Sequence, residues 1–133
     1  MTIKETCLYV KNVPRSAKFY SWLLAANPIG FDKDRHVFFR LGKSVLLCFN
    51  AKATKKEGIL PAHGSFGPTH LAFEVSRRKY LAEKRRIGRK TKILHEHQWG
   101  PRTRCFYFRD PDGNLLEMIE PGFWESMKPA KIG

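Results

Sequence analysis

The stretch RCFYFRDPDGNLLEMIE, Arg104 to Glu120, reads as two strands about a turn. RCFYFRD and NLLEMIE are rich in aromatic and branched residues that suit a pleated surface. Between them, DPDGN places Pro111 and Gly113 among Asp and Asn, side chains that bond their own backbone and so specify a turn. Strand alternation sets Leu115, Glu117 and Ile119 on one face. A half-buried strand rarely hosts a free carboxylate, so Glu117 needs a compensating charge, either an arginine or a cation.

The strands before this hairpin belong to a repeat. HLAFEV (His70 to Val75) can be laid over ETCLYV (Glu5 to Val10), and each is followed by a helix candidate. In the first copy, Asn12 is an N-cap and Pro14 sits in the first turn. Val13, Ala17, Tyr20 and Leu24 then recur at helical spacing. In the second copy, Ser76 is the expected N-cap, the apolar stripe is Tyr80, Leu81 and Ile87, and Gly88 ends the helix. HVFFRLG and SVLLCFN follow the first helix, as RCFYFRD and NLLEMIE follow the second. A further short strand precedes each pair, around residues 27–31 and 93–97. Each half thus reads β-α-β-β-β. AKATKKEGILPAHGSFGPT, rich in Gly, Pro and Lys, joins the halves as a loop.

The chain has 133 residues, enough for one domain with a real core. No run approaches the roughly 18 apolar residues of a membrane helix, and no secretory signal opens the sequence. A cytoplasmic protein is expected. Cys7, Cys48 and Cys105 are odd in number and lie in apolar runs, which argues for reduced, buried thiols. The net charge is +13, with nine Lys/Arg against one Glu between Arg77 and Lys92. That run could attract a polyanion or form one solvated helix face. No RNP, zinc-finger or helix-turn-helix signature accompanies it, so nucleic acid is not the expected partner.

Three segments, CLYVKNVPRSAKFYSWLL, GPTHLAFEV and RCFYFRDPDGNLLEMIEPGFW, taken in this order and spacing, resemble the vicinal oxygen chelate superfamily. That family includes glyoxalase I, the bleomycin-resistance proteins, the fosfomycin-modifying enzymes and the extradiol dioxygenases. The resemblance spans about residues 3 to 124. It implies an α+β fold of two βαβββ modules forming a curved, mostly antiparallel sheet cleft with helices on the convex side. Module one would cover about 3–50, the linker 51–68, module two 69–124 and a C-terminal tail 125–133. It also implies a homodimer in many members.

Metal-binding members carry ligands on the first and last strands of each module. Here the resemblance places those positions at Glu5, Leu46, His70 and Glu117. Leu46 cannot bind metal, so the chain is similar to three-ligand members rather than to glyoxalase I. Two carboxylates and one imidazole suit Zn, Mn, Ni or Fe and leave positions open for water or a chelating substrate. Taken singly, Glu5 would be an exposed strand end and His70 a structural histidine; the repeat, which makes them equivalent, favours a metal. His95 and His97 share a strand face at a spacing that can bind metal, although a solvated or pocket-edge role is the expected one. His63 reads as a loop residue, and His36 has no visible partner. Cys7, Tyr9, Trp99, Arg102, Tyr107 and Trp124 are candidates for substrate binding, although Trp and Tyr are also ordinary core filler.

The function expected is that of a divalent-metal-dependent lyase or isomerase of glyoxalase type, or an addition reaction, on a small oxygenated substrate, an anionic one fitting the net charge of +13 best. Glu5 or Glu117 would move a proton. One alternative is a small-molecule binding or resistance protein without catalysis. Another is an extradiol-type dioxygenase, whose iron wants two His and one carboxylate where this chain has Glu5.

Overall fold

The computed structural model describes residues 1–56 and 58–132, so residue 57 of the expected linker and residue 133 of the expected tail lie outside it. Two compact units emerge, one comprising 1–69 with 110–113, the other 70–109 with 114–133.

The first unit holds β1 (Glu5–Tyr9), α1 (Val13–Leu24), β2 (Gly30–Asp32), β3 (His36–Leu41), β4 (Ser44–Phe49) and a short α2 (Ala51–Thr54). Its sheet runs in the order β1-β4-β3-β2, with β1 parallel to β4 and the other neighbours antiparallel. The helix starts where the sequence says: the Asn12 side chain accepts from Arg15 N at 2.9 Å, and Pro14 needs no partner in the first turn. It ends at Ala25, a left-handed residue with φ of 48°. The amides of Ala25 and Ala26 close onto the carbonyls of Trp22 and Ser21. An alanine pays a steric cost in that conformation which glycine avoids. Ala25→Gly is therefore expected to stabilise the protein by about 0.5–1 kcal/mol in urea unfolding.

Alternation splits the sheet into two faces. Leu8, Val37, Phe39, Leu46 and Cys48 are buried with Val13, Tyr20 and Leu23 of α1. Cys7, Phe38, Val45, Leu47 and Phe49 take the opposite face. The Asp110–Gly113 turn belongs to this unit. Asp110 accepts from the Tyr20 hydroxyl at 2.7 Å, and Asp112 from Lys11 N at 2.8 Å. Burial, then the Asp110 carboxylate, pushes the Cys48 thiol up to about 12.

The second unit repeats the plan with β5 (His70–Glu74), α3 (Tyr80–Gly88), β6 (His95–Trp99), β7 (Thr103–Arg109), β8 (Leu115–Ile119) and a short α4 (Phe123–Ser126). Its sheet order is β5-β8-β7-β6, again with the first pair parallel. Tyr80 and Ile87 are fully buried, as are Phe106, Phe108 and Leu116. The Tyr80 and Phe106 rings meet edge on at 5.5 Å. Across β7 and β8, Arg104 holds Glu120 through a fork of 2.8 and 2.9 Å.

That fork, ahead of the penalty of burial, depresses the Glu120 pKa below the ordinary 4.5. A depressed carboxylate stabilises the fold fully above its unfolded pKa. The contribution is lost as pH falls from about 4.5 through the folded value. Glu120→Gln should cost about 1–2 kcal/mol at neutral pH and flatten the acid limb of a stability-versus-pH curve measured by urea unfolding.

Four expectations need correction. Ser76 does not cap α3, which starts only at Tyr80. The Ser76 carbonyl instead accepts from Lys79 N and Tyr80 N, closing a turn. Arg77 in that turn donates to the carbonyls of Arg102 and Pro121. The short strands expected around 27–31 and 93–97 are displaced to Gly30–Asp32 and His95–Trp99, where their partners β3 and β7 offer pairing. The segment expected to be all loop opens with α2, because Asn50 caps it by accepting from Lys52 N at 3.0 Å. The fourth correction concerns Leu46 and follows from the strand register.

Candidate functional site

β1 pairs with β4 so that Cys7 lies opposite Leu47, and β5 pairs with β8 so that Ala72 lies opposite Glu117. Glu5 and His70 stand two residues before Cys7 and Ala72. The repeat is thus exact in register, and it makes Leu47, not Leu46, the counterpart of Glu117. Leu46 turns to the α1 side, where it is 1% exposed. Leucine at 47 is as unable to bind metal as leucine at 46, so the three-residue ligand set is unchanged.

In the second unit, His70 and Glu117 come together. His70 Nε2 lies 3.4 Å from Glu117 Oε1. The other ring nitrogen, Nδ1, is 2.9 Å from the Leu115 carbonyl. A carbonyl only accepts, so Nδ1 carries the proton and donates it. In the neutral ring, Nε2 then presents a lone pair toward a carboxylate that is 6% exposed. Two electron-rich atoms so placed call for a proton or a cation between them. A backbone carbonyl on the remote nitrogen is the usual way to orient a metal-binding histidine. Ligands held about 2.0–2.1 Å from one tetrahedral ion stand roughly 3.3 Å apart, close to the separation seen. The donor chemistry therefore fits a divalent metal.

Tyr107 faces this pair from β7, directly opposite Glu117 in the register. Burial, then Cys105 and Glu117, pushes its phenol up, which keeps it protonated and able to donate. The His95 ring is 6.2 Å from that of Tyr107, and His97 and Trp99 continue the same face of β6. Burial likewise raises the Cys105 thiol. The face therefore carries two further imidazoles beside the His70–Glu117 pair. Among the described residues no group of three or more His, Cys, Asp or Glu side chains gathers as a metal centre.

Glu5, Cys7 and Tyr9 lie in the first unit, where they line a cavity of about 1000 Å³, so that Cys7 is exposed rather than buried like Cys48 and Cys105. Its walls include Phe38, Leu47 and Phe49 from the sheet, and Ile59, Leu60 and His63 from the segment after α2. His63 is more than a loop residue: its Nδ1 is 2.7 Å from the Tyr9 hydroxyl, and its ring meets Phe49 edge on at 4.8 Å. His36 also has partners, stacking on Phe38 at 4.2 Å. Arg35 lies over Phe49, 5.6 Å from the ring centroid. The sequence reading missed Phe38, Leu47, Phe49 and Arg35. Alternation in HVFFRLG and SVLLCFN contained the signal for the first three, once the register with β1 is known.

The remaining candidates are more dispersed. Trp99 contacts Phe123, with ring centroids 5.2 Å apart. Trp124 is 67% exposed on α4. Arg102 is exposed, and its carbonyl is held by Arg77. In the basic run, Glu83 of α3 pairs with Arg86 at 2.6 Å, and Glu96 of β6 pairs with Lys84. No helix among the described residues is long and apolar enough to cross a membrane.

Comparison with known proteins agrees with this architecture. The profile of the Glyoxalase/Bleomycin resistance protein/Dioxygenase superfamily matches residues 2–118. No curated protein matches the sequence. Among solved structures, a lactoylglutathione lyase from Agrobacterium tumefaciens is 27% identical, with a TM-score of 0.86 over 92% of this chain and 96% of that one. A glyoxalase/bleomycin resistance protein/dioxygenase from Nocardioides is 22% identical, with a TM-score of 0.71 over 100% of this chain and 90% of that one. The fosfomycin resistance protein FosX from Listeria monocytogenes is 16% identical, with a TM-score of 0.69 over 96% and 98%. The last two likenesses concern the fold alone.

Proposed function

Since the chain belongs to the Glyoxalase/Bleomycin resistance protein/Dioxygenase superfamily, we propose that it is a divalent-metal-dependent enzyme of glyoxalase type. Its reaction is a lyase, isomerase or addition step on a small oxygenated compound. The observation that carries this reading is the oriented His70 beside the buried Glu117. Glu5, the counterpart of His70 in the repeat, is the third ligand. Glu5 belongs to a different unit from His70 and Glu117, and the family builds such sites either within one chain or across a homodimer. A cytoplasmic homodimer is part of the same reading. The 27% identity to a lactoylglutathione lyase supports the reaction class.

A bound Zn, Mn, Ni or Fe ion would supply Lewis-acid polarisation of adjacent substrate oxygens. The protein's own groups do the rest. The Leu115 carbonyl fixes the His70 tautomer. Glu5 or Glu117 accepts and returns the substrate proton, a role that typically contributes about 10²–10⁴ in rate. Tyr107, kept protonated, donates beside Glu117.

The test is a screen of α-oxygenated carbonyl compounds and epoxides, read by proton NMR, with metal-loaded and chelator-treated protein. Turnover is expected only with metal and should fall at least about 10²-fold in Glu5→Gln. Turnover that survives both chelation and that substitution would count against the proposal. A binding or resistance protein without catalysis is the second reading. The cavity beside Glu5 favours it, and it predicts ligand binding with no turnover of any compound in the screen.

A further inference from the structure

The cavity of the first unit is electrically asymmetric along the strands. Glu5 pairs with Val45 at one end of β1, and Tyr9 pairs with Phe49 at the other. Tyr9 stands four residues after Glu5 along the strand, a span of about 13 Å. Arg35 closes the far end over Phe49, and Lys56 also lines the cavity. The wall between the two ends is apolar, formed by Val45, Leu47, Phe38 and Phe49. A carboxylate thus stands at one end, the Arg35 guanidinium at the other, and rings and branched chains between.

We infer that this cavity takes an elongated ligand with a ring-sized apolar body and a carboxylate, sulfonate or phosphonate at the Arg35 end. The guanidinium offers the anion paired donors, and Phe38 and Phe49 offer faces to the body. The opposite end of the ligand reaches Glu5. That orientation rests on the proposed function, in which Glu5 is a metal ligand and the substrate presents its chelating oxygens there. The apolar body and the anionic end rest on the cavity alone.

The probes are 4-biphenylcarboxylate, 4-biphenylmethanol and 4-biphenylmethylammonium, titrated by calorimetry into the full chain stripped of metal. The carboxylate is expected to bind tightest and the ammonium weakest. Arg35→Glu, an exposed change that leaves the core intact, should weaken the carboxylate at least about tenfold and leave the alcohol within about twofold. Lys18→Glu, on the exposed side of α1, has the same charge change and should alter neither. Leu47→Trp, checked for folding by its thermal transition, should weaken carboxylate and alcohol together by filling the cavity. Equal binding of the three probes, equal loss of carboxylate binding in Arg35→Glu and Lys18→Glu, or binding unaffected by Leu47→Trp in a folded protein would overturn the inference. Metal content is measured separately. A chain that binds the carboxylate in this way but never holds metal refutes the proposed function and leaves the cavity assignment standing.

Discussion

Glu117→Gln protein, purified without chelator and reloaded with zinc or manganese, is expected to retain at most about a tenth of the metal held by the wild type. Changes beyond the ligands alone typically cost about 10–100-fold in metal affinity, so loss of a charged ligand should cost at least the larger figure. His70→Ala should have the same effect, because Nε2 is the only nitrogen of that ring free to bind: Nδ1 is committed to the Leu115 carbonyl. Glu120→Gln is the informative control. Glu120 lies three residues away, on the α3 side of β8, bound to Arg104, and should leave metal content unchanged. The measurement is elemental analysis per chain. A wild type that takes up no divalent metal on reloading, or a Glu117→Gln protein that keeps it, removes the metal from this site.

The ligand candidates were legible because charge inside apolar strands is conspicuous. Glu117 stood out within LLEMI, and the alignment of ETCLYV with HLAFEV put Glu5 and His70 at equivalent places, as the register does in pairing them with Val45 and Leu115. The error at Leu46 shows the limit of the same method. Leu46 and Leu47 are adjacent and chemically alike, so alternation alone cannot say which one turns from the helix. Only the hydrogen-bonded register with Cys7 decides. Ser76 failed as a cap for a nonlocal reason, since the turn that delays α3 contains Arg77, which reaches carbonyls 25 and 44 residues away. His63 and Arg35 were opaque in sequence for the same cause. Nothing near His63 in the chain announces Tyr9, 54 residues distant, as its partner. Local chemistry therefore revealed elements and charged candidates, whereas the cavity depended on contacts between segments far apart in sequence.

Asp110→Ala is expected to lower the stability of the protein by about 3 kcal/mol, or roughly 10 °C in its thermal transition. Asp110 is 5% exposed, and its carboxylate accepts from the Tyr20 hydroxyl at 2.7 Å and from the Asp112 amide at 2.9 Å. Tyr20, on α1, is fully buried with its ring against Phe39, so its hydroxyl would be left without an acceptor where water does not reach. An unsatisfied buried donor costs about 1–3 kcal/mol, and loss of the second bond loosens the turn that presents Asp112 to Lys11, Arg15 and Ser16. Tyr20→Phe removes the donor instead and should cost less, about 1–2 kcal/mol, because Asp110 keeps the Asp112 amide. The double substitution separates the two costs. If the orphaned hydroxyl dominates, Asp110→Ala with Tyr20→Phe should be more stable than Asp110→Ala alone. Strict additivity of the two in urea unfolding would instead mean that the hydroxyl finds water or another acceptor, and that the turn alone accounts for the loss.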